Sequence, residues 1–96
     1  MKTKEEIIEI LERIKPDLQR RFKVTGLGIF GSYARGEPTE TSDVDVLVDV
    51  DPSIGLDFVL IAEEIEKEIG TRVELVSRRA VKPRSLRFIE RDLIHV

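Results

Sequence analysis

Apolar residues recur along this chain with two different periods. Ile7, Leu11, Ile14, Leu18 and Phe22 fall at helical spacing. Thr3-Lys4-Glu5-Glu6, just ahead of them, has the spacing of a capping box, with Thr3 as N-cap and Glu6 at N3. Pro16 interrupts the run and predicts a kink, or a second short helix starting near Lys15. Val24 to Phe30 is an apolar run of strand length, Gly31 to Gly36 a turn or single helical turn, and Glu37 to Ser42 a polar loop containing Pro38. Asp43 to Val50 (DVDVLVDV) alternates with period two. Val44, Val46, Val48 and Val50 share one face, and Asp43, Asp45, Leu47 and Asp49 the other. Leu56 to Ile69 predicts an amphipathic helix burying Val59, Ala62, Ile65 and Ile69, closed by Gly70. Arg72 to Val76 predicts a third strand, and Pro83 opens a last helix that turns Leu86, Ile89 and Leu93 inward. This order predicts an α/β fold: a small mixed sheet flanked by helices, one domain over residues 1–96.

Composition narrows the chemistry. The 96 residues contain no cysteine, which excludes disulfides, thiolate metal sites and a cysteine nucleophile. No apolar run approaches the ~20 residues that span a bilayer, and nothing reads as a signal peptide, so a cytoplasmic location is expected. The net charge of −3 is unevenly distributed. Residues 71–96 carry seven cations and three anions, a net of +4, which leaves −7 on residues 1–70. An acidic body with a basic tail suggests that the tail meets something anionic: a phosphate chain, RNA or an acidic partner. A solvated helix face explains the same charges.

GLGIFGS, residues 26–32, spells G-x-G-x-x-G, with Asp51 about twenty residues beyond, as in a dinucleotide site. That motif needs a strand ending at its first glycine and a helix starting near its last. Here Arg20 to Thr25 make a poor buried strand, and Pro38 leaves no room for a following helix of three turns. A P-loop is absent too, because no Gly-Lys-Ser/Thr occurs. A different frame fits better. Asp43 and Asp45, at i and i+2 on a strand, project from one face roughly 6–7 Å apart. Carboxylates this close repel unless a cation lies between them, and Mg²⁺ is commonly held by one or two carboxylates plus substrate phosphates. Gly31 lets a phosphate approach the backbone, and Ser32 offers a hydroxyl and an N–H at the start of a turn. Glu74 is the only acid in the third strand. If that strand lies beside Asp43–Val50, Glu74 joins the pair, and two metals about 4 Å apart can bridge attacking and leaving oxygens. Asp49 shares the face but lies about 13 Å from Asp45.

GSYARGEPTETSDVD, residues 31–45, matches G-S-x10-D-x-D. The chain thereby resembles the DNA polymerase beta-like nucleotidyltransferase superfamily, over about Val24 to Leu93. The ARGE segment and short length resemble its minimal nucleotidyltransferase (MNT) branch. The resemblance implies a polymerase beta-like palm fold, with Gly31 and Ser32 on the triphosphate and Asp43 and Asp45 on the metals. It places Glu74 where most members carry an Asp as third carboxylate. It implies ATP as substrate, Mg²⁺ as cofactor, and a HEPN-type toxin as partner in a hetero-oligomer. The MNT protein then acts as antitoxin by moving AMP to a tyrosine hydroxyl of the toxin.

Bland readings compete residue by residue. A strand with a solvated face accounts for Asp43 and Asp45 taken alone, but not for Gly31-Ser32 at the matching distance. Arg35 either clamps a phosphate or pairs with Glu37 or Asp43 to fix its loop. Tyr33 reads as packing, and His95 as exposed and idle. The alternative to an enzyme is a weakly active or inactive nucleotidyltransferase-fold module that neutralises its partner by complex formation. Transfer to a small-molecule hydroxyl such as an aminoglycoside would need a sugar pocket, for which no sequence remains.

Overall fold

A computed structural model describes residues 2–55 and 57–96. The chain runs α1 (Lys4–Phe22), β1 (Val24–Phe30), α2 (Gly31–Ala34), β2 (Val44–Val50), α3 (Asp57–Ile69), β3 (Val73–Ser77), α4 (Pro83–Glu90) and β4 (Ile94–His95). Single 3-10 turns at Pro52–Ile54 and Arg78–Ala80 follow β2 and β3. The four strands are ordered β3-β2-β1-β4. β1 pairs antiparallel with β2 and with β4, whereas β2 and β3, joined through α3, are parallel. This is the mixed sheet with flanking helices that the hydrophobic pattern predicts. No helix among the described residues is long and apolar enough to cross a membrane.

α1 and α3 cover one face of the sheet. The core they enclose is Ile7, Leu11, Leu18 and Phe22 from α1, Ile29 from β1, Val44, Val46, Val48 and Val50 from β2, and Ile61, Ile65 and Ile69 from α3. The valines of β2 all point this way because strand side chains alternate. Asp45, Leu47 and Asp49 are thereby turned to the opposite face.

Three expectations change. Of the two outcomes expected at Pro16, a second short helix from Lys15 does not occur, because α1 runs as one helix from Lys4 to Phe22. The Thr3–Glu6 capping box and four buried side chains hold it together. In α3 the buried stripe is Ile61, Ile65 and Ile69, while Val59 is 54% exposed. Two overlapping apolar stripes are present in that helix, and the one that meets α1 wins. Leu56, its expected first residue, lies outside the described residues. In α4 no residue is fully buried: Leu86 and Ile89 are half-buried, and so is Leu93 beyond its end. β4 carries too short a pattern to read from the sequence. Its two residues pair with Gly28 and Ile29. A Cβ on Gly28 would lie 2.8 Å from the Ile94 carbonyl oxygen and 2.9 Å from Leu93 Cδ1, so glycine is what lets this segment close over β1.

Candidate active site

β1 ends at Phe30, and the chain turns into α2 through Gly31, whose φ is +74°. Left-handed backbone of this kind favours glycine. Contact demands it as well, because a Cβ here would collide with the Asp45 carboxylate oxygen Oδ2. α2 is a single turn, closed by Arg35 N–H donating to Gly31 O at 3.0 Å and Glu37 N–H donating to Ser32 O at 2.9 Å. Its first N–H groups have no acceptor within the helix. Ser32 therefore sits at a tight turn whose donors adjoin the Asp45 carboxylate. Tyr33 and Ala34 point inward, Tyr33 at 3% exposure, which makes Tyr33 a packing residue.

β2 lies between β1 and β3, so Asp45 has Phe30 opposite it on one side and Glu74 on the other. The parallel register puts Glu74 on the same face as Asp45, as the sequence requires if the two are to meet. Asp45 is half-buried. Burial first, then the hydrogen-bonding Glu74 side chain and the charges of Glu74 and Asp43, push its carboxyl up to about 6, with the Arg35 charge opposing. Asp43 sits just before β2. Arg72 Nε lies 3.2 Å from its Oδ1, but the N–H is not aimed along that line, and Oδ1 is buried with no hydrogen-bond partner. A buried, unsatisfied carboxylate oxygen beside a carboxyl that resists ionisation is a donor set suited to a hard cation. Among the described residues, however, no three acids or imidazoles converge into a cluster that encloses an ion by itself. Asp43 is drawn toward Arg72, whereas Asp45 leans on Glu74.

Arg35 makes one of its two expected ion pairs, with Glu37 and not Asp43, and adds a third carboxylate. Its Nη1 donates to Asp92 Oδ2 at 2.8 Å, and its Nε lies 3.7 Å from Glu37 Oε2. Asp92 is 57 residues away, so no local signal could have pointed to it. Arg72 carries no local signal for Asp43 either; the pairing of Val44 with Val73 brings the two side by side. Asp49 is engaged by Arg78 at 3.4 Å, away from the Asp43–Asp45 pair. His95 is exposed and joins the sheet through its backbone. Asp43 and Asp45 are half-buried and Glu74 is exposed, so the acids sit at the surface end of the sheet. A groove of about 620 Å³ lined by Val50, Phe58, Leu75 and Val81 is at the other end of β2 and includes none of them. A second, about 550 Å³, is lined by Tyr33, Thr39, Ser42 and Thr71 and reaches the residue before Asp43.

The sequence pattern of the family described as a nucleotidyltransferase domain matches residues 11–96. The chain belongs to this nucleotidyltransferase family. It is similar over its whole length to the protein adenylyltransferase MntA of Thermococcus cleftensis, at 43% identity over 98 residues that cover 100% of this chain and 98% of the relative. A solved structure provisionally assigned as a minimal nucleotidyltransferase superposes with a TM-score of 0.83 at 31% identity, covering 97% of this chain and 95% of that one. A chain from the tri-AMPylated Shewanella oneidensis HEPN toxin in complex with MNT antitoxin shares the fold, with a TM-score of 0.61 at 19% identity, over 96% of this chain and 66% of that one. The nucleotidyltransferase family accounts for the mixed sheet with its flanking helices. The chain is an enzyme of nucleotidyl transfer.

Proposed function

We propose that this nucleotidyltransferase moves AMP from ATP to a tyrosine hydroxyl of a HEPN-type toxin, and so acts as its antitoxin. The observation that carries the reading is the meeting of three elements. The Gly31 turn, Asp45 on β2 and Glu74 on β3 share one end of one sheet face, with Asp43 beside them. The likeness to MntA of T. cleftensis supports adenylyl transfer to protein, and the fold shared with the complex of HEPN toxin and MNT antitoxin supports the partner. Asp43 and Asp45, with Glu74 alongside, would hold Mg²⁺. A divalent cation there supplies charge neutralisation for the phosphates and the leaving group. Gly31 leaves room for the phosphate chain, Ser32 offers its N–H and hydroxyl, and Arg35 adds positive charge nearby. In the transfer, the tyrosine oxygen bonds to the α-phosphorus and the bond from that phosphorus to the β-phosphate breaks. Pyrophosphate leaves, and the hydroxyl proton is released to solvent. An open site suits an acceptor that arrives as part of a protein surface.

The test is transfer of label from α-labelled ATP to the product of the adjacent open reading frame, with Mg²⁺ present. The wild-type chain labels that protein, and Asp43→Asn with Asp45→Asn does not, while folding as before. Wild-type rates in the double variant would sink the mechanism. The second reading, neutralisation by binding alone, draws on the absence of a converged three-acid cluster among the described residues. A stable, unlabelled complex with the wild-type chain would favour it.

A further inference from the structure

The outer face of α4 combines unpaired cations with an exposed aromatic ring. Residues 78–91 carry six cations and one anion, a net of +5. Arg78 is paired with Asp49. Arg79, Lys82, Arg84, Arg87 and Arg91 are exposed and take part in no ion pair among the described residues. Arg84, Arg87, Phe88 and Arg91 fall at i, i+3, i+4 and i+7, on the side opposite half-buried Leu86 and Ile89. Phe88 is 68% exposed, and the Arg91 guanidinium lies 5.1 Å from its ring centroid. Like charges at these spacings oppose the helix that bears them, and an exposed phenyl ring gains nothing from water. Both costs disappear against an apolar, acidic partner. Arginines around an aromatic anchor are also the residue types that dominate protein interfaces.

We propose that the Arg84–Arg87–Phe88–Arg91 face of α4 docks an acidic segment of the protein acceptor. α4 is well placed for this. Two residues past its end, Asp92 accepts from Arg35, which closes the turn that begins at Gly31 and Ser32. A segment seated on α4 is therefore tied to the rim of the transfer site. A nucleic acid fits less well. The helix has eight residues and is about 12 Å long, short for tracking a phosphate backbone, with an exposed phenyl ring set among its arginines.

This inference rests on the partner being a protein, not on the chemistry of transfer, and one experiment separates the two. The probe is the product of the adjacent open reading frame, titrated calorimetrically at low and at high salt against four forms of the chain. These are the wild type, Arg84→Glu with Arg87→Glu, Phe88→Ala, and Asp43→Asn with Asp45→Asn. Charge reversal and Phe88→Ala should each weaken binding by about 10- to 100-fold, with melting temperatures unchanged. The wild-type affinity should fall with salt, and the Asn double variant should bind like the wild type. Unchanged binding by both α4 variants would overturn the proposal. So would tighter binding of a 20-nucleotide poly-uridine RNA than of the protein, abolished by charge reversal. If the wild type transfers no label yet its binding depends on α4, docking stands and adenylyl transfer falls.

Discussion

Gly31 lies so close to Asp45 that no side chain fits between them: a Cβ at Gly31 would collide with Asp45 Oδ2. The glycine of the glycine-serine pair and the second acid of D-x-D are thus one steric unit, fourteen residues apart in the chain. Gly31→Ala adds left-handed strain to that collision. It should cost about 1–2 kcal/mol of stability from backbone strain. The shift it forces on Asp45 should lower transfer by about 100-fold. Urea denaturation and the labelled-ATP assay measure the two effects. A variant with wild-type transfer would show that the close approach has no part in the chemistry.

Asp45 also sets a pH dependence. The folded chain holds this proton up to a pH of about 6, whereas an unperturbed carboxyl releases it near 3.8. Between those values the folded form binds more protons than the unfolded one, so stability falls as pH rises through the window and stays reduced above it. The groups facing Asp45 are Glu74 and Asp43, which raise it, and Arg35, which lowers it. Asp45→Asn should therefore gain about 1 kcal/mol at pH 7.5, the full shift being discounted for partial exposure. At pH 4 the gain should vanish. MgCl2 should raise the melting temperature of the wild type at pH 7.5 but not that of the Asn variant. A gain from Asp45→Asn that is as large at pH 4 as at pH 7.5 would contradict this account.

Gly28 tests the last strand. A Cβ there meets the Ile94 carbonyl oxygen and Leu93 Cδ1. Gly28→Ala should cost about 1–3 kcal/mol by overpacking and loosen β4. The same change should raise amide exchange at Val96, whose N–H donates to Leu27 O at 2.9 Å. Protection of Val96 equal to wild type would show that β4 tolerates the extra methyl.

The amino-acid order determined more of the site than of the packing around it. Alternation in DVDVLVDV is enough to put Asp45 and the core valines on opposite faces, because strand geometry leaves no other arrangement. Gly31-Ser32 and the D-x-D spacing were legible for the same reason: each is a local rule of backbone conformation or side-chain direction. Glu74 was legible only conditionally, since its place beside Asp45 waited on which strand lay next to β2, and the parallel pairing of β2 with β3 supplied that place. What local rules do not encode is which of several acceptable partners a group finds. Arg35 keeps the nearby Glu37 at 3.7 Å, yet its short hydrogen bond goes to Asp92 at the far end of the chain. α3 offered two apolar stripes, and contact with α1 chose Ile61, Ile65 and Ile69. Two residues cannot show a period, and β4 packs close against β1 where Gly28 leaves its backbone room. Local backbone and side-chain geometry thus made the candidate site legible in the sequence, whereas competition among distant contacts, decided by packing, settled the rest.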